Sequence, residues 1–392
     1  MSSPSAAEII GNSDDLLTEI LLHIPVKAVL RFKSVNKQWY SLISHRTFSL
    51  LHSHHHLHLP PSGLFFLHRH LSLSPQYDFV SFSSSPSSSS SLPPFFSLLK
   101  STPFDILQSC NGLFLCSSPS KSSNVIVCNP SNTHKVVIDL PLHEPFLGIN
   151  IGFDPSRWPH YWLICVSVSS VDEEMYSIDL YTSGTGTWRL GVVDGFRVPF
   201  DVEFDHGVYW EGRVYWLSHT EETVFFDFEQ ECVGSLMLPK AIQGSYIERF
   251  RYFGQSCGHL HLIEIRTNCV PEFDVLELDS KSKKEWFVKY RVDLNVLGHG
   301  FEIEMFLDHT DRFGRGFRFY AFSVLAVVCQ KTGDDEDEDD SVLVISIPGK
   351  VISYNFRTRV SRLMCNVVDE SDKLFPFRGY NAFQFIESLY CV

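Results

Sequence analysis

The pentapeptide Gly254-Gln255-Ser256-Cys257-Gly258 fits the formula G-x-S-x-G, which in hydrolases thrusts a nucleophilic serine out between a strand and a helix. His259 and His261 follow directly and are the residue type that would take the serine proton. The stretch after the turn, HLHLIEI, alternates as a strand does, so both imidazoles share one face and point away from a turn-borne serine. A catalytic pair is therefore not expected. His52, His54, His56 and His58 also alternate, and in an extended chain two or three of them could hold a metal. No acid or cysteine at a fixed spacing closes the coordination shell, so a metal site is not expected. Gly184-Thr185-Gly186 lacks a third glycine and a following helix, and reads as a turn. The acid pairs Glu173-Glu174, Glu221-Glu222 and Glu302/Glu304 fall in polar loops or on a strand edge and read as solvated faces. No catalytic residue, cofactor or metal is expected anywhere in the chain.

Ten cysteines stand at 110, 116, 128, 165, 232, 257, 269, 329, 365 and 391, mostly inside apolar runs, with no C-x-x-C pair. They read as free, buried thiols of a cytoplasmic or nuclear protein. The N-terminal residues carry no targeting signature, and no run approaches 18 apolar residues. The 392 residues are 44% hydrophobic, 14% aromatic and 20% charged, as suits a packed globular protein, and 33 phenylalanines favour strands. Net charge is −14, of which Asp334 to Asp340 supply −7. Without a basic stripe, nucleic acid is not an expected partner, and Lys281, Lys283 and Lys284 read as a hairpin tip. A membrane is not an expected partner either.

The elements change character along the chain. In Asp14 to Ser44, DDLLTEILLHIPVKAVLRFKSVNKQWYSLIS, apolar residues recur at helical spacing. Leu16, Leu17, Ile20, Leu21 and Ile24 make one broad stripe; Asn12 and Ser13 can cap it, Asp14 and Asp15 suit its positive end, and Pro25 stops it. A second helix begins at Pro25 or Val26, and a third follows Asn36 with Val35, Trp39, Leu42 and Ile43 on one side. Some thirty residues make a small core, and an apolar face left over marks an association site.

This stretch resembles the F-box: D-L-L-x-E-I-L-x-x-I/L-P-V-K-x-L-x-R-F-x-x-V-x-K-x-W-x-x-L-I-S runs from Asp15 to Ser44. It is similar in particular to plant F-box proteins that carry an F-box-associated, kelch-like propeller. The family's Leu-Pro before the acids is replaced by Asn12-Ser13, which removes one apolar contact.

Beyond the F-box the period becomes two. A unit of apolar strands, polar turn and further strand recurs over 111–141, 161–190, 207–239, 257–290 and 320–365. The turns near Asn129, Gly184, Phe228, Ser280 and Asn355 are 55, 44, 52 and 75 residues apart, near the size of a four-stranded propeller blade. GLFFLHR and YDFVSF, joined by the C-terminal AFQFIESLYCV, complete about six blades and leave no open sheet edge. SCNGLFLC, NPSN, GFDPS, YTSGTGTWR, VYWEGRVYWL and FGQSCGHLHLIEI are similar to signatures of the F-box-associated propeller. The expected organisation is a flexible tail (1–10), an all-α three-helix F-box (11–51), a linker (52–63) and a large all-β propeller (64–392). A Ser-rich loop at 83–91 and an acidic loop at 333–341 interrupt the propeller.

The resemblance implies a non-catalytic substrate adaptor of a Skp–cullin–F-box ubiquitin ligase. The F-box would dock on a Skp-family linker and through it on cullin, while the propeller would bind a target protein. The matching positions are Leu16, Leu17, Ile20, Leu21, Ile24, Pro25, Val26, Leu30, Val35, Trp39, Leu42 and Ile43; periodicity does not sort module core from linker contact. Two alternatives stand beside it: a propeller that binds carbohydrate or hydrolyses a substrate, and an interaction scaffold outside any ligase.

Overall fold

The computed structural model describes residues 10–11, 13–56, 60–68, 76–82, 93, 95, 104–118, 121–132, 134–141, 146–199, 201–218, 222–239, 249–266, 272–282, 284–297, 305–308, 317–320, 322–329, 340–367 and 382–392. Four short helices open the chain: α1 (Asp14–Leu22), α2 (Val26–Phe32), α3 (Lys37–Ser44) and α4 (Arg46–His55). The first three begin and end where their caps dictate. Ser13 Oγ accepts from the Leu16 amide at 3.4 Å, Pro25 precedes α2, and Asn36 Oδ1 accepts from the Trp39 amide at 2.9 Å.

The fourth helix corrects the sequence reading. His52 and His54 lie in α4 and His56 caps its end, so they do not alternate along an extended linker; His58 lies outside the described residues. The same spacing that puts alternate residues on one face of a strand puts His52 and His56 one helical turn apart. Phe48, Ser49 and His52 form the buried stripe, and the helix carries the module past position 51.

All the rest is strand, arranged as six blades. Blade I is β3 (Asp105–Cys110), β4 (Leu113–Ser118), β5 (Lys121–Cys128) and β6 (Lys135–Asp139). Blade II is β7 (Phe146–Gly152), β8 (Trp162–Val168), β9 (Tyr176–Thr182) and β10 (Thr187–Phe196). Blade III is β11 (Val208–Trp210), β12 (Arg213–Leu217), β13 (Glu222–Asp227) and β14 (Cys232–Met237). Blade IV is β15 (Arg249–Ser256), β16 (His259–Arg266), β17 (Glu272–Leu278) and β18 (Trp286–Asp293). A hairpin of β19 (Met305–Asp308) and β20 (Phe317–Tyr320) precedes blade V, which is β21 (Ser323–Val328), β22 (Val342–Ile347), β23 (Lys350–Asn355) and β24 (Ser361–Asn366). Blade VI joins the two ends of the propeller: β25 (Ala382–Phe385) pairs antiparallel with β1 (Gly63–His68), which pairs with β2 (Gln76–Ser81).

The inner strands β3, β7, β11, β15, β21 and β25 neighbour one another in that order and close the ring. The repeat read in the sequence is offset from these blades. Its first, second and fourth copies start one strand late, on the apolar strands β4, β8 and β16, because the inner strands carry polar residues that blur the pattern. Those polar residues tie each blade to the next. Gln108 of β3 exchanges two hydrogen bonds with the Ile151 backbone of β7 at 3.2 and 2.7 Å. Tyr252 Oη of β15 accepts from the Val327 amide of β21 at 3.2 Å. Indole N–H groups do the same between Trp188 and Asp139 O, Trp216 and Asn150 Oδ1, and Trp210 and Gly258 O, at 2.8, 2.6 and 2.7 Å. The aromatic residues thus pack mainly between blades, as expected, while Trp158 stays 41% exposed. The Ser-rich and acidic loops, Glu221, Glu302, Glu304, Lys283 and Cys269 lie outside the described residues, except that Asp340 and Ser341 of the acidic loop are described.

Closure rests on an aromatic cluster. Phe65 of β1 is fully buried, with the rings of Phe79, Phe95, Phe114 and Phe385 at 4.9, 5.6, 5.5 and 6.0 Å. These rings come from blade VI, from blade I and from the segment between them. Replacing Phe65 with Ala removes the ring they share and is expected to cost about 3–5 kcal/mol, read as a lowered urea midpoint.

Candidate functional site

The helical module has a core of its own, built from Leu21, Leu22, Val26, Val29, Ile43 and Phe48, with Ile24, Leu30, Phe32, Trp39 and Leu42 packed against it. Leu17 is buried as well, at 2% exposure. Burial sorts positions that periodicity left together. Leu17, Leu21, Val26 and Ile43 face inward; Leu16 and Ile20 are each 45% exposed, Val35 is 55% exposed and Pro25 is exposed. Gln38 Nε2 donates to Asp14 Oδ1 at 2.8 Å, which sets the start of α3 beside the start of α1. The module therefore leaves Leu16, Ile20 and Val35 uncovered.

One member of the core comes from the far end of the chain. Leu389, 2% exposed, inserts among the F-box residues. Its segment, 386–392, is held from the propeller side by the NPSN motif. Asn129 Nδ2 donates to the carbonyls of Ser388 and Tyr390 at 2.9 and 2.7 Å, Asn132 Nδ2 donates to Tyr390 O at 3.1 Å, and Ser131 Oγ accepts from the Ser388 amide at 3.0 Å. Tyr390 Oη donates to Pro159 O at 2.7 Å and accepts from Arg46 of α4, which also reaches Pro159 O and His160. Gly112 admits this tail: at φ +90°, an added Cβ would lie 2.6 Å from Ser388 Cβ. Sequence reasoning placed AFQFIESLYCV beside blade VI but missed Leu389's place in the F-box. The apolar triplet Leu389-Tyr390-Cys391 after the strand was the signal available.

On the tail's other side lies a cavity of about 310 Å³, between α4 and the propeller turns at Asn111, Asp154–Ser156, Glu211 and Cys257–Gly258. Here the histidines of α4 do structural work. His52 Nε2 lies 2.8 Å from Ile24 O and His56 Nε2 3.0 Å from Leu22 O, capping the carbonyl end of α1. Burial is the main force pushing the His52 pKa down, so the neutral imidazole serves as donor.

The hydrolase motif resolves into a hairpin. Cys257 and Gly258 both have positive φ, +47° and +83°, as do Asn111-Gly112 and Glu211-Gly212 at the matching turns of blades I and III. Two successive residues of that kind form the tight turn whose twist suits antiparallel strands. Ser256 is fully buried, and its Oγ accepts from the Cys329 amide at 3.1 Å. The two histidines meet Glu277 of β17 instead: His259 Nδ1 to Oε1 at 2.9 Å and His261 Nε2 to Oε2 at 3.5 Å, with Lys289 Nζ at 3.6 Å. Burial opposes a charged Glu277, but hydrogen bonds from both histidines, with the charges of His259 and Lys289, outweigh it and hold the carboxyl well below its usual range. The Glu277 hydrogen bond raises His259 in turn. Among the described residues no group of three or more His, Cys, Asp or Glu is arranged to hold a metal ion. Cys110, Cys116, Cys128 and Cys165 are buried as expected; Cys232 is exposed, which corrects that reading for one thiol, because on the outer strand β14 it faces solvent.

Residues 13–50 match the F-box domain family, and residues 68–251 match the F-box associated beta propeller domain. The F-box protein At5g07610 of Arabidopsis thaliana is 34% identical over 99% of this chain and 94% of its own length. The chain belongs to the plant F-box proteins. A second Arabidopsis thaliana relative, F-box protein At3g08750, is 25% identical over 55% of this chain and 57% of its own length. A third, F-box/kelch-repeat protein At4g19930, is 27% identical over 67% of this chain and 65% of its own. This is a family of substrate adaptors, so the paired F-box and propeller set the frame for reading the exposed face of α1.

Two measurements test this geometry. Asn129→Ala leaves two tail carbonyls and the Ser131 amide without their partner, and should cost about 2–4 kcal/mol of unfolding free energy in urea. His259 should titrate above its ordinary 6.5 by NMR and fall back in Glu277→Gln. Because His259 is raised, its contribution to stability is complete below pH 6.5 and fades as pH rises through its folded value. Glu277 is lowered, so its contribution is complete above its ordinary 4.5 and fades on acidification. The stability lost in Glu277→Gln should therefore be greatest between pH 4.5 and 6.5.

Proposed function

We propose that this chain is the substrate-recognition subunit of a Skp–cullin–F-box ubiquitin ligase, acting in the cytoplasm or nucleus. The observation that carries this reading is the apolar surface left by Leu16, Ile20 and Val35 on a module whose other apolar side chains are already packed. Apolar side chains uncovered beside a completed core suit a permanent partner better than solvent. Of the twelve positions matched to the family, Leu16, Ile20, Pro25 and Val35 are the linker contacts; Leu17, Leu21, Val26 and Ile43 support them from beneath. Ile24, Leu30, Trp39 and Leu42 lie between the two groups.

The mechanism is proximity. The chain contributes no chemistry; it raises the effective concentration of a target's lysines at a ubiquitin-conjugating enzyme brought by the cullin. The F-box and the C-terminal tail cover the propeller face that carries the Asn111, Glu211 and Cys257 turns. The target protein is then taken on propeller surface that the F-box leaves open. The hydrolase alternative loses its support, since Ser256 is buried and committed to a backbone amide.

The test is binding of the purified full-length chain to a purified Skp-family subunit. Leu16→Asp with Ile20→Asp should weaken binding at least tenfold while leaving the thermal melt within about 2 °C, because both side chains are half exposed. Leu21→Asp should instead unfold the module. Full binding by the folded Leu16→Asp/Ile20→Asp protein would overturn the proposal.

A further inference from the structure

Blades IV and V meet at a pair of thiols that the adaptor reading leaves unused. Cys257 is the first residue of the β15–β16 turn, and Cys329 directly follows β21. They lie 72 residues apart in sequence yet face each other with their backbones interlocked. Cys257 Sγ donates to Cys329 O at 3.3 Å, Cys329 Sγ donates to Ser256 O at 3.7 Å, and the Cys329 amide donates to Ser256 Oγ at 3.1 Å. The two thiols are also hydrogen-bonded to each other. Both are half-buried, and Cys257 lines the cavity beneath α4. The inner strands that carry them are direct neighbours in the ring. With no metal-binding cluster among the described residues, this is a dithiol and not a metal site.

We propose that Cys257 and Cys329 form a reversible disulfide that staples blade IV to blade V, with a low-molecular-weight disulfide as the oxidant. The cavity-facing Cys257 reacts first: its sulfur bonds to one sulfur of the oxidant, and its proton leaves on the departing thiol. The Cys329 thiolate then attacks Cys257 Sγ, forms the protein disulfide and expels the second thiolate, which takes up a proton from solvent. The protein dithiol loses two electrons, and the oxidant becomes two thiols. The surroundings favour the second step. The hydrogen bond from Cys257, supported against burial by the nearby His261 and by Ser256 and Ser341, lowers the Cys329 pKa and so raises its thiolate fraction. The bond would close a long loop and fix the turn that forms one wall of the cavity.

The full-length protein, equilibrated in buffers of reduced and oxidised glutathione, alkylated and mapped by mass spectrometry, tests the proposal. Expected is one cross-linked peptide joining Cys257 to Cys329, reversed by excess reductant, with a Tm about 5 °C higher in the oxidised form. Cys329→Ser should trap glutathione on Cys257. Cys257→Ser should leave Cys329 at least tenfold less modified, because the cavity exposes the other sulfur. Wild-type mapping decides the matter even if a variant fails to fold. Two alkylated thiols at every glutathione ratio, or cross-links spread to the exposed Cys232, would overturn the pair; the disulfide without a rise in Tm would overturn the staple.

Discussion

The joint between the two halves of this protein is a short extended tail with each side occupied. Asn129, Ser131 and Asn132 satisfy its backbone from the propeller, while Leu389 fills a hole in the F-box core. Along a tail whose side chains point alternately, one face can go to each domain. The arrangement is demanding, because buried backbone groups must all find partners. It is also specific: the Asn129 amide reaches two carbonyls two residues apart, and Gly112 leaves no room for another side chain where Ser388 passes. The segment that runs on from β25, the closing strand of the ring, therefore also fixes where the F-box sits.

That coupling bears on how an adaptor works. A flexible linker between modules lets the target wander, whereas a proximity mechanism gains most when the geometry is held. Here Arg46 at the start of α4 reaches Pro159, His160 and Tyr390, and the other end of α4 stands over the propeller turns. The F-box is thus anchored at both ends of α4, and a target on the open propeller surface would sit in a defined place relative to anything docked on α1.

Much of this was legible in the residues. Caps at Ser13 and Asn36 and the stop at Pro25 set three helices nearly to the residue, because those signals act within a single turn. Six blades and their closure followed from strand periodicity and the cost of an open edge. What did not follow was anything set by long-range packing. Alternating histidines fit a strand and a helix equally well, and only burial of Phe48 and His52 under α1 decides for α4. Inner strands such as β3 escaped notice because Gln108 and Ser109 serve neighbouring strands, and so dilute the apolar signal of their own. Leu16 and Leu17 are adjacent and chemically alike, yet one is solvent-facing and the other buried; no pattern of residue types could separate them.

The three matching turns show where structure stops dictating the residue. Asn111, Glu211 and Cys257 all occupy the first position of the same kind of turn, with φ between +43° and +47°. Asparagine suits that conformation because its side chain tolerates left-handed backbone, whereas glutamate and cysteine bring no such ease. Each has its own local reason or none. Asn111 Nδ2 donates to Phe153 O at 2.7 Å, tying blade I to blade II. Cys257 directs its thiol to the Cys329 carbonyl, a weak donor where an amide or hydroxyl would make the stronger bond. Turn geometry does not ask for a sulfur at this place, and neither does the hydrogen bond it makes. The chemistry that distinguishes cysteine from asparagine or serine here is the second sulfur facing it from blade V.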